Sequence, residues 1–329
     1  MKEWLWYLGR QCVFGSGLAA LLLASRPLPA ALIPGDAGGL GQLQRYQVKK
    51  NESLIEIARK FDLGFNEITA ANPGVDPFVT NAGTLVNIPT AWLLPAVPLR
   101  PSVVINLPEF RLYYFSKQPG GKVLTFPLGI GDQGTDTPLG RYRIVQKIVK
   151  PAWHVPTSIR RKEPSLPKVM QAGPDNPMGS HALRLSSHDI LIHGTDRPWG
   201  IGRRSSHGCL RLYPEDIVSL FRAVSTGTQV VIVDQPVKIG TNGKSVYVEA
   251  HRTDRSVVTV GDVVQRLADE KLLGRTDFAK LVRVMEERRG VPADVTLDFL
   301  EGHSPTAPKR AETAKGVAAP NQLKNRGVP

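Results

Sequence analysis

Between residues 46 and 89 the apolar positions change period from extended to helical and back again. After a short extended segment at Tyr46, the residues Leu54, Ile57, Ala58 and Phe61 recur at i, i+3, i+4 and i+7, the spacing of one buried helix face. Ser53, with Glu56 three residues later, supplies a capping box to start that helix. A second helix is predicted from about Asn66, carrying Ile68, Ala70 and Ala71 and ending at Asn72-Pro73-Gly74. Residues 84–88 then alternate as a closing strand before Pro89. Residues 44–89 therefore predict a small βααβ unit.

Pro95, Pro98 and Pro101 punctuate residues 90–101, which reads as a semi-rigid proline-rich linker. Beyond it the runs are short and β-like. Residues 103–107 and 111–115 predict two strands around a turn at Pro108-Glu109. Further strands are predicted at 122–127, 140–149, 183–185, 190–193 and 229–233, with glycine or proline between them. Helical spacing occurs at 214–223. This predicts a mainly-β, sandwich-like domain with few helices over residues 102–234. Helical spacing returns at 258–272 and 277–288, ending at Gly290-Val291-Pro292, so residues 246–300 read as a helical extension. Residues 303–329 are Pro, Ala, Lys and Asn with scarcely any large apolar residue, the composition of a disordered, basic tail.

Composition changes the picture in two places. A formal charge of +13 asks for an anionic partner, and nucleic acid, acidic lipid and cell-wall polymer all qualify. The N-terminus narrows that choice: Lys2 and Arg10 accompany an apolar or small stretch over 13–23, and Leu28-Pro29-Ala30 precedes a cleavage point. Residues 1–30 thus read as an export signal, too short in its apolar run for a stable membrane span. Export argues against nucleic acid. Of the two cysteines, Cys12 lies in that signal, which leaves Cys209 alone in the exported chain.

Cys209 sits among glycines and histidines rather than in an apolar run, within ILIHGTDRPWGIGRRSSHGCLRLYPEDI. A thiol near its ordinary pKa of about 8.5 needs a base or a positive neighbour to become a nucleophile, and His193 and His207 both lie close in sequence. Attack on a carbonyl also needs backbone donors for the oxyanion, and Gly208 lets the chain approach closely. A zinc site built from His181, His188, His193, His207 and Cys209 lacks any characteristic ligand spacing. An endopeptidase of another fold commonly places cysteine before histidine, the reverse of the order here. A non-catalytic wall-binding protein would be expected to have lost part of the set.

Two resemblances follow from these residues. YQVKKNESLIEIARKFDLGFNEITAANPGV with GTLVNIP resembles a LysM module, which implies binding to N-acetylglucosamine-containing glycan. HGT ahead of SHGC, with VVINLPEFRLYYF, FPLGIGDQGTDTPLGRYRI, PAWHVP and NPMGSHALRL around them, resembles the YkuD-type L,D-transpeptidases of the Gram-negative periplasmic branch. The resemblance implies Cys209 as acyl acceptor, His193 as proton donor and acceptor, and the Gly194 carbonyl as the group that orients His193. It also implies His207 beside the thiol, Gly208 and Cys209 amides at the oxyanion, Ser206 and Thr195 lining the site, and Arg211 on a substrate carboxylate. No metal or cofactor is implied. The implied donor is a peptidoglycan tetrapeptide; the acceptor is a diaminopimelate amine, a lipoprotein lysine or water, and carbapenems would acylate the thiol. Outside the signature, Trp153 and Trp199 could stack on substrate or cover the core, His154, His251 and His303 read as surface or satisfied core residues, and Arg203-Arg204 reads mainly as a solvated loop.

Overall fold

Alternation along one strand decides how the chain is assembled. In the computed structural model, which describes residues 39–97, 102–116, 122–187 and 190–298, the second strand of the large sheet sends Leu112 into the catalytic core and Tyr113 into the core of the N-terminal module. Successive side chains of a strand face opposite ways, so one sheet is covered on both sides. The predicted signal with Cys12, as well as His188 and the tail over 303–329, lie outside the described residues.

The module runs β1 (Gly39–Gly41), β2 (Gln44–Gln47), α1 (Leu54–Lys60), α2 (Phe65–Ala71), β3 (Leu85–Ile88) and β4 (Ala91–Leu93). Ser53 caps α1 with the reciprocal Glu56 bond that the spacing predicts. Strands β2 and β3 pair antiparallel beneath the helices. Leu54, Ile57, Ile68, Val86 and Ile88 are buried together, and Tyr113 and Val123 of the neighbouring domain complete their cluster.

The linker is where expectation and structure part. Residues 91–93 are not spacer but strand β4, paired with β1, and both Trp92 and Leu93 are buried. A short apolar run next to prolines carries too weak a periodicity to be read as a strand, and only burial against another element reveals it.

The catalytic domain contains β5 (Val103–Asn106), β6 (Arg111–Phe115), β7 (Val123–Pro127), β8 (Ile130–Gly131), β9 (Gly140–Val149), β10 (Trp153–His154), α3 (Thr157–Lys162), β11 (Val169–Met170), β12 (His181–Leu185), β13 (Leu191–His193), β14 (Arg204–Ser206), β15 (Leu210–Arg211), α4 (Pro214–Ala223) and β16 (Gln229–Val233). Eight of these strands form one sheet in the order β15-β13-β12-β9-β16-β5-β6-β7. Leu210 and Ile192 from one end share a core with Leu112 and Phe126 from the other. The sheet therefore curls around its own interior, with α4 packed in through Ile217 and Leu220.

The extension carries the two helices that the spacing predicts, α5 (Val260–Asp269) and α6 (Phe278–Glu287), but it is not purely helical. Strands β17 (Val237–Thr241), β18 (Val246–Ala250) and β19 (Ala293–Asp294) form an antiparallel sheet beneath them. The unit thus begins at residue 237 rather than 246, because β17 needs β18 as its partner.

Buried charges join the three parts. Arg111 of β6, fully buried, makes a two-pronged pair with Glu67 of α2 at 2.8 and 2.9 Å, and its guanidinium lies 4.1 Å from the centre of the Trp92 ring. On the other side, Lys238 of β17 donates to Glu109 at 2.6 Å, pairs with Glu249 at 2.8 Å and donates to the Leu93 carbonyl at 2.6 Å. The Leu93 amide returns a bond to Glu249, and His251 completes the network on Glu249. Glu109, Glu249 and His251 converge in the manner of metal ligands, but the Lys238 ammonium already pairs with both carboxylates. His251 is thus a satisfied core histidine.

Candidate active site

The site arises from register. Strands β13 and β15 run parallel with Ile192 opposite Leu210 and His193 opposite Arg211. Ile192 and Leu210 both enter the core, so alternation puts His193, Arg211 and the preceding Cys209 on the opposite face. The Leu212 amide donates to the His193 carbonyl at 2.9 Å, and Arg211 exchanges two backbone bonds with Gly129, at 2.8 and 2.9 Å. His193 and Arg211, far apart in sequence, are thereby fixed beside one another, with Cys209 immediately before β15.

His193 is buried, and its Nδ1 lies 2.7 Å from the Gly194 carbonyl. A carbonyl can only accept, so Nδ1 carries the proton and Nε2 of the neutral ring is left as a base. Burial lowers its pKa to about 4, with the Arg211 charge acting in the same direction and the backbone bonds opposing. The ring is neutral through the physiological range. Gly194 itself is tightly packed: a Cβ there would stand 3.1 Å from Ile217 and 3.4 Å from Gly179. Gly179, at φ +66, admits no Cβ either, since one would meet the Thr195 amide at 2.7 Å. The two glycines pack backbone to backbone and hold the strand end bearing His193.

Cys209 is partly exposed. The turn before it is closed by Ser206, whose hydroxyl donates to the Cys209 carbonyl at 2.5 Å. Gly208 has φ +96, a conformation that strains any residue with a Cβ. The loop after β8 secures this turn from below: Thr137 donates to the Gly208 carbonyl at 3.1 Å, Thr135 to the Ser206 carbonyl at 3.1 Å, and the Asp132 amide to the same carbonyl at 2.8 Å. Gly131 must be glycine there, because a Cβ would fall 2.2 Å from the Thr135 carbonyl.

Arg211 is largely withdrawn from water, which lowers its pKa, while the charges of Asp196 and Cys209 oppose that shift. Its Nε is buried and finds no hydrogen-bond partner among the described residues.

The other predicted residues divide. Thr195 is buried, and its hydroxyl accepts from the Arg197 amide at 3.0 Å, which is a turn-closing contact. His207 is exposed, and His181 lies edge-on to Phe221, 4.6 Å between ring centres. Arg203 and Arg204 are not a solvated pair: Arg204 bridges Asp136 at 2.9 Å and Asp254 at 2.6 Å, and Arg203 stacks 3.6 Å from the Phe65 ring centre. Trp199 does not cover the core; it is 51% exposed. Sequence reasoning gave no role to Thr135, Thr137 and Gly179, although they lie within the stretches FPLGIGDQGTDTPLGRYRI and NPMGSHALRL, because they act through contacts with backbone from distant segments.

Fold and site together define a mainly-β enzyme domain whose histidine ends one strand, β13, and whose cysteine immediately precedes the parallel strand β15. The LysM domain family matches residues 46–89, and the L,D-transpeptidase catalytic domain of YkuD type matches residues 100–232. The chain is 38% identical over 299 residues to the probable L,D-transpeptidase YcfS of Escherichia coli K12, covering 84% of this chain and 91% of that one. It is 40% identical over 229 residues to the probable L,D-transpeptidase YbiS of the same strain, covering 67% and 74%. With the probable L,D-transpeptidase ErfK/SrfK of Salmonella typhimurium it shares 34% identity over 299 residues, covering 84% and 92%. The chain belongs to the YkuD-type L,D-transpeptidase family and carries an N-terminal LysM domain.

Proposed function

We propose that this L,D-transpeptidase remodels peptidoglycan in the periplasm, exported by residues 1–30, and that Cys209 forms a thioester with the donor stem peptide. The register that sets His193 opposite Arg211 on β13 and β15, with Cys209 next before β15, supports the reading. His193 Nε2 takes the thiol proton, and the sulfur attacks the carbonyl at the L-centre of diaminopimelate in a tetrapeptide. The Gly208 and Cys209 amides receive the developing oxyanion. Collapse breaks the bond to the terminal D-alanine, whose amine leaves with the proton held on His193. An acceptor amine then attacks the thioester, gives a proton to His193 and releases the sulfur. A diaminopimelate amine yields a cross-link, a lipoprotein lysine anchors that lipoprotein, and water makes the same site a carboxypeptidase.

Arg211 would hold a donor carboxylate through its fork of donors, and the unpartnered Nε supports this. The His207 ring, exposed beside the thiol in sequence, would border the entering substrate. Among the described residues no helix is long and apolar enough to cross a membrane.

The pH profile tests the role given to His193. A neutral base is lost as the ring takes a proton, so kcat/KM should fall on the acid side with an inflection near the ring's pKa of about 4. An inflection near the ordinary 6.5 of an exposed imidazole would show that a histidine outside this buried setting sets the acid limb, or that burial does not lower the His193 pKa.

A further inference from the structure

A groove of about 720 Å³ lies between the module and the catalytic domain, and both supply its walls. Asn51, Ser53, Phe78 and Thr80 come from the module's loops; Trp199 and Arg203 come from the catalytic chain between HGT and SHGC. Such a volume falls in the range of roughly 300–1,000 Å³ common for small-molecule sites.

The walls are fixed to each other. The Phe65 amide donates to the Ile201 carbonyl at 3.1 Å and the Asn66 amide to the Gly202 carbonyl at 3.3 Å. Gly202, at φ +80, would place a Cβ 2.2 Å from the Phe65 nitrogen, so the two backbones touch and nothing larger fits. Tyr213 donates to the Leu63 carbonyl at 3.0 Å, and Arg59 of α1 pairs with Glu215 of α4 at 3.3 Å.

Two aromatic side chains are left in water at this groove, Phe78 at 61% and Trp199 at 51% exposure. Exposed large aromatics at a concave, polar-rimmed surface mark a binding site more than they mark a core. Arg203 is held by Phe65 and Phe78, at 3.6 and 5.7 Å from their ring centres, while its buried Nε has no hydrogen-bond partner among the described residues. Flat apolar faces with amide, hydroxyl and guanidinium groups at their edges suit a chain of N-acetylated sugars, whose rings present apolar faces and polar rims.

We infer that Trp199 and Arg203 complete, from the catalytic side, a composite saccharide site that holds the sugar from which the reacting stem peptide hangs. The inference rests on reading the LysM domain as glycan-binding and adds that the transferase domain contributes Trp199 and Arg203 to the site. Arg203 precedes Cys209 by six residues, which bounds their separation at roughly 20 Å of extended chain. That upper limit is within the reach of a sugar ring bearing an extended tetrapeptide, so glycan held in the groove can present its peptide to the cleft.

The test uses the exported chain, an N-acetylglucosamine tetramer as probe, and titration calorimetry. Phe78→Ala and Trp199→Ala should each raise the Kd about tenfold, and Trp199→Tyr should restore most of it. In the same Trp199→Ala protein, the ratio of kcat/KM for disaccharide-tetrapeptide to kcat/KM for free tetrapeptide should fall about tenfold. Weakening by Phe78→Ala with no change in Kd or in that ratio for Trp199→Ala would overturn the composite site and leave the glycan reading standing. Absence of tetramer binding by the unaltered chain would remove both.

Discussion

Replacing His193 with alanine is expected to leave a folded protein whose turnover of a tetrapeptide donor falls by roughly 10²–10⁴-fold, the range that a positioned general base supplies. The ring's Nδ1 is committed to the Gly194 carbonyl at 2.7 Å, so its removal deletes the base without leaving a buried donor unpaired elsewhere. The adjoining backbone is held independently, by the pairing of β13 with β12 and β15 and by the contact of Gly194 with Gly179. Steady-state kinetics alongside thermal melting check this. Retained turnover would refute the assignment, and lost turnover with an unchanged melting temperature would support it.

The second large effect concerns stability rather than chemistry. Lys238→Met should destabilise the chain by roughly 3–5 kcal/mol, because it strands buried carboxylates that were paired. Glu109 and Glu249 have no side-chain exposure, and Lys238 has 1%, so solvent cannot replace the lost ammonium. Burial alone would lower the lysine's pKa, but the two carboxylates together raise it above its ordinary value. The charge therefore persists at neutral pH. A urea titration should show the loss, and Lys238→Met combined with Glu109→Gln and Glu249→Gln should recover much of it. A cost below about 1 kcal/mol for the single change, the scale of an exposed pair, would mean that this network does not join linker, sheet and extension.

The sequence was most informative where structure is local. The capping box at Ser53 and Glu56, the spacing of Leu54, Ile57, Ala58 and Phe61, and the strands at 111–115, 140–149 and 229–233 all reappear at the same positions, since each depends on neighbours along the chain. Strand β4 was hidden because three residues beside prolines have no period, and only the pairing with β1 defines them. Strands β17, β18 and β19 were overlooked beside the stronger helical spacing of α5 and α6.

The candidate site divides in the same way. His193, Cys209 and Arg211 are singled out as candidates by their residue types and their order in HGT and SHGC. Their common face follows from the parallel register of β13 and β15, which no spacing in the sequence encodes. The loop that braces Gly208 through Thr137, and the bridge from Arg255 of the extension to Asp136 of that loop at 2.7 Å, depend on contacts between distant segments. They give the extension a physical place in the candidate site, since it anchors the loop that braces the turn before Cys209.

The central claim is that Cys209 is the acylated group, and intact-mass measurement tests it most directly. The chain without residues 1–30 and its Cys209→Ala variant would be incubated with meropenem, whose strained lactam carbonyl traps a nucleophilic thiol as a thioester, and with disaccharide-tetrapeptide. The account predicts a single meropenem adduct and D-alanine release for the unaltered chain, and neither for the variant. An adduct or D-alanine release that persists in Cys209→Ala would contradict it.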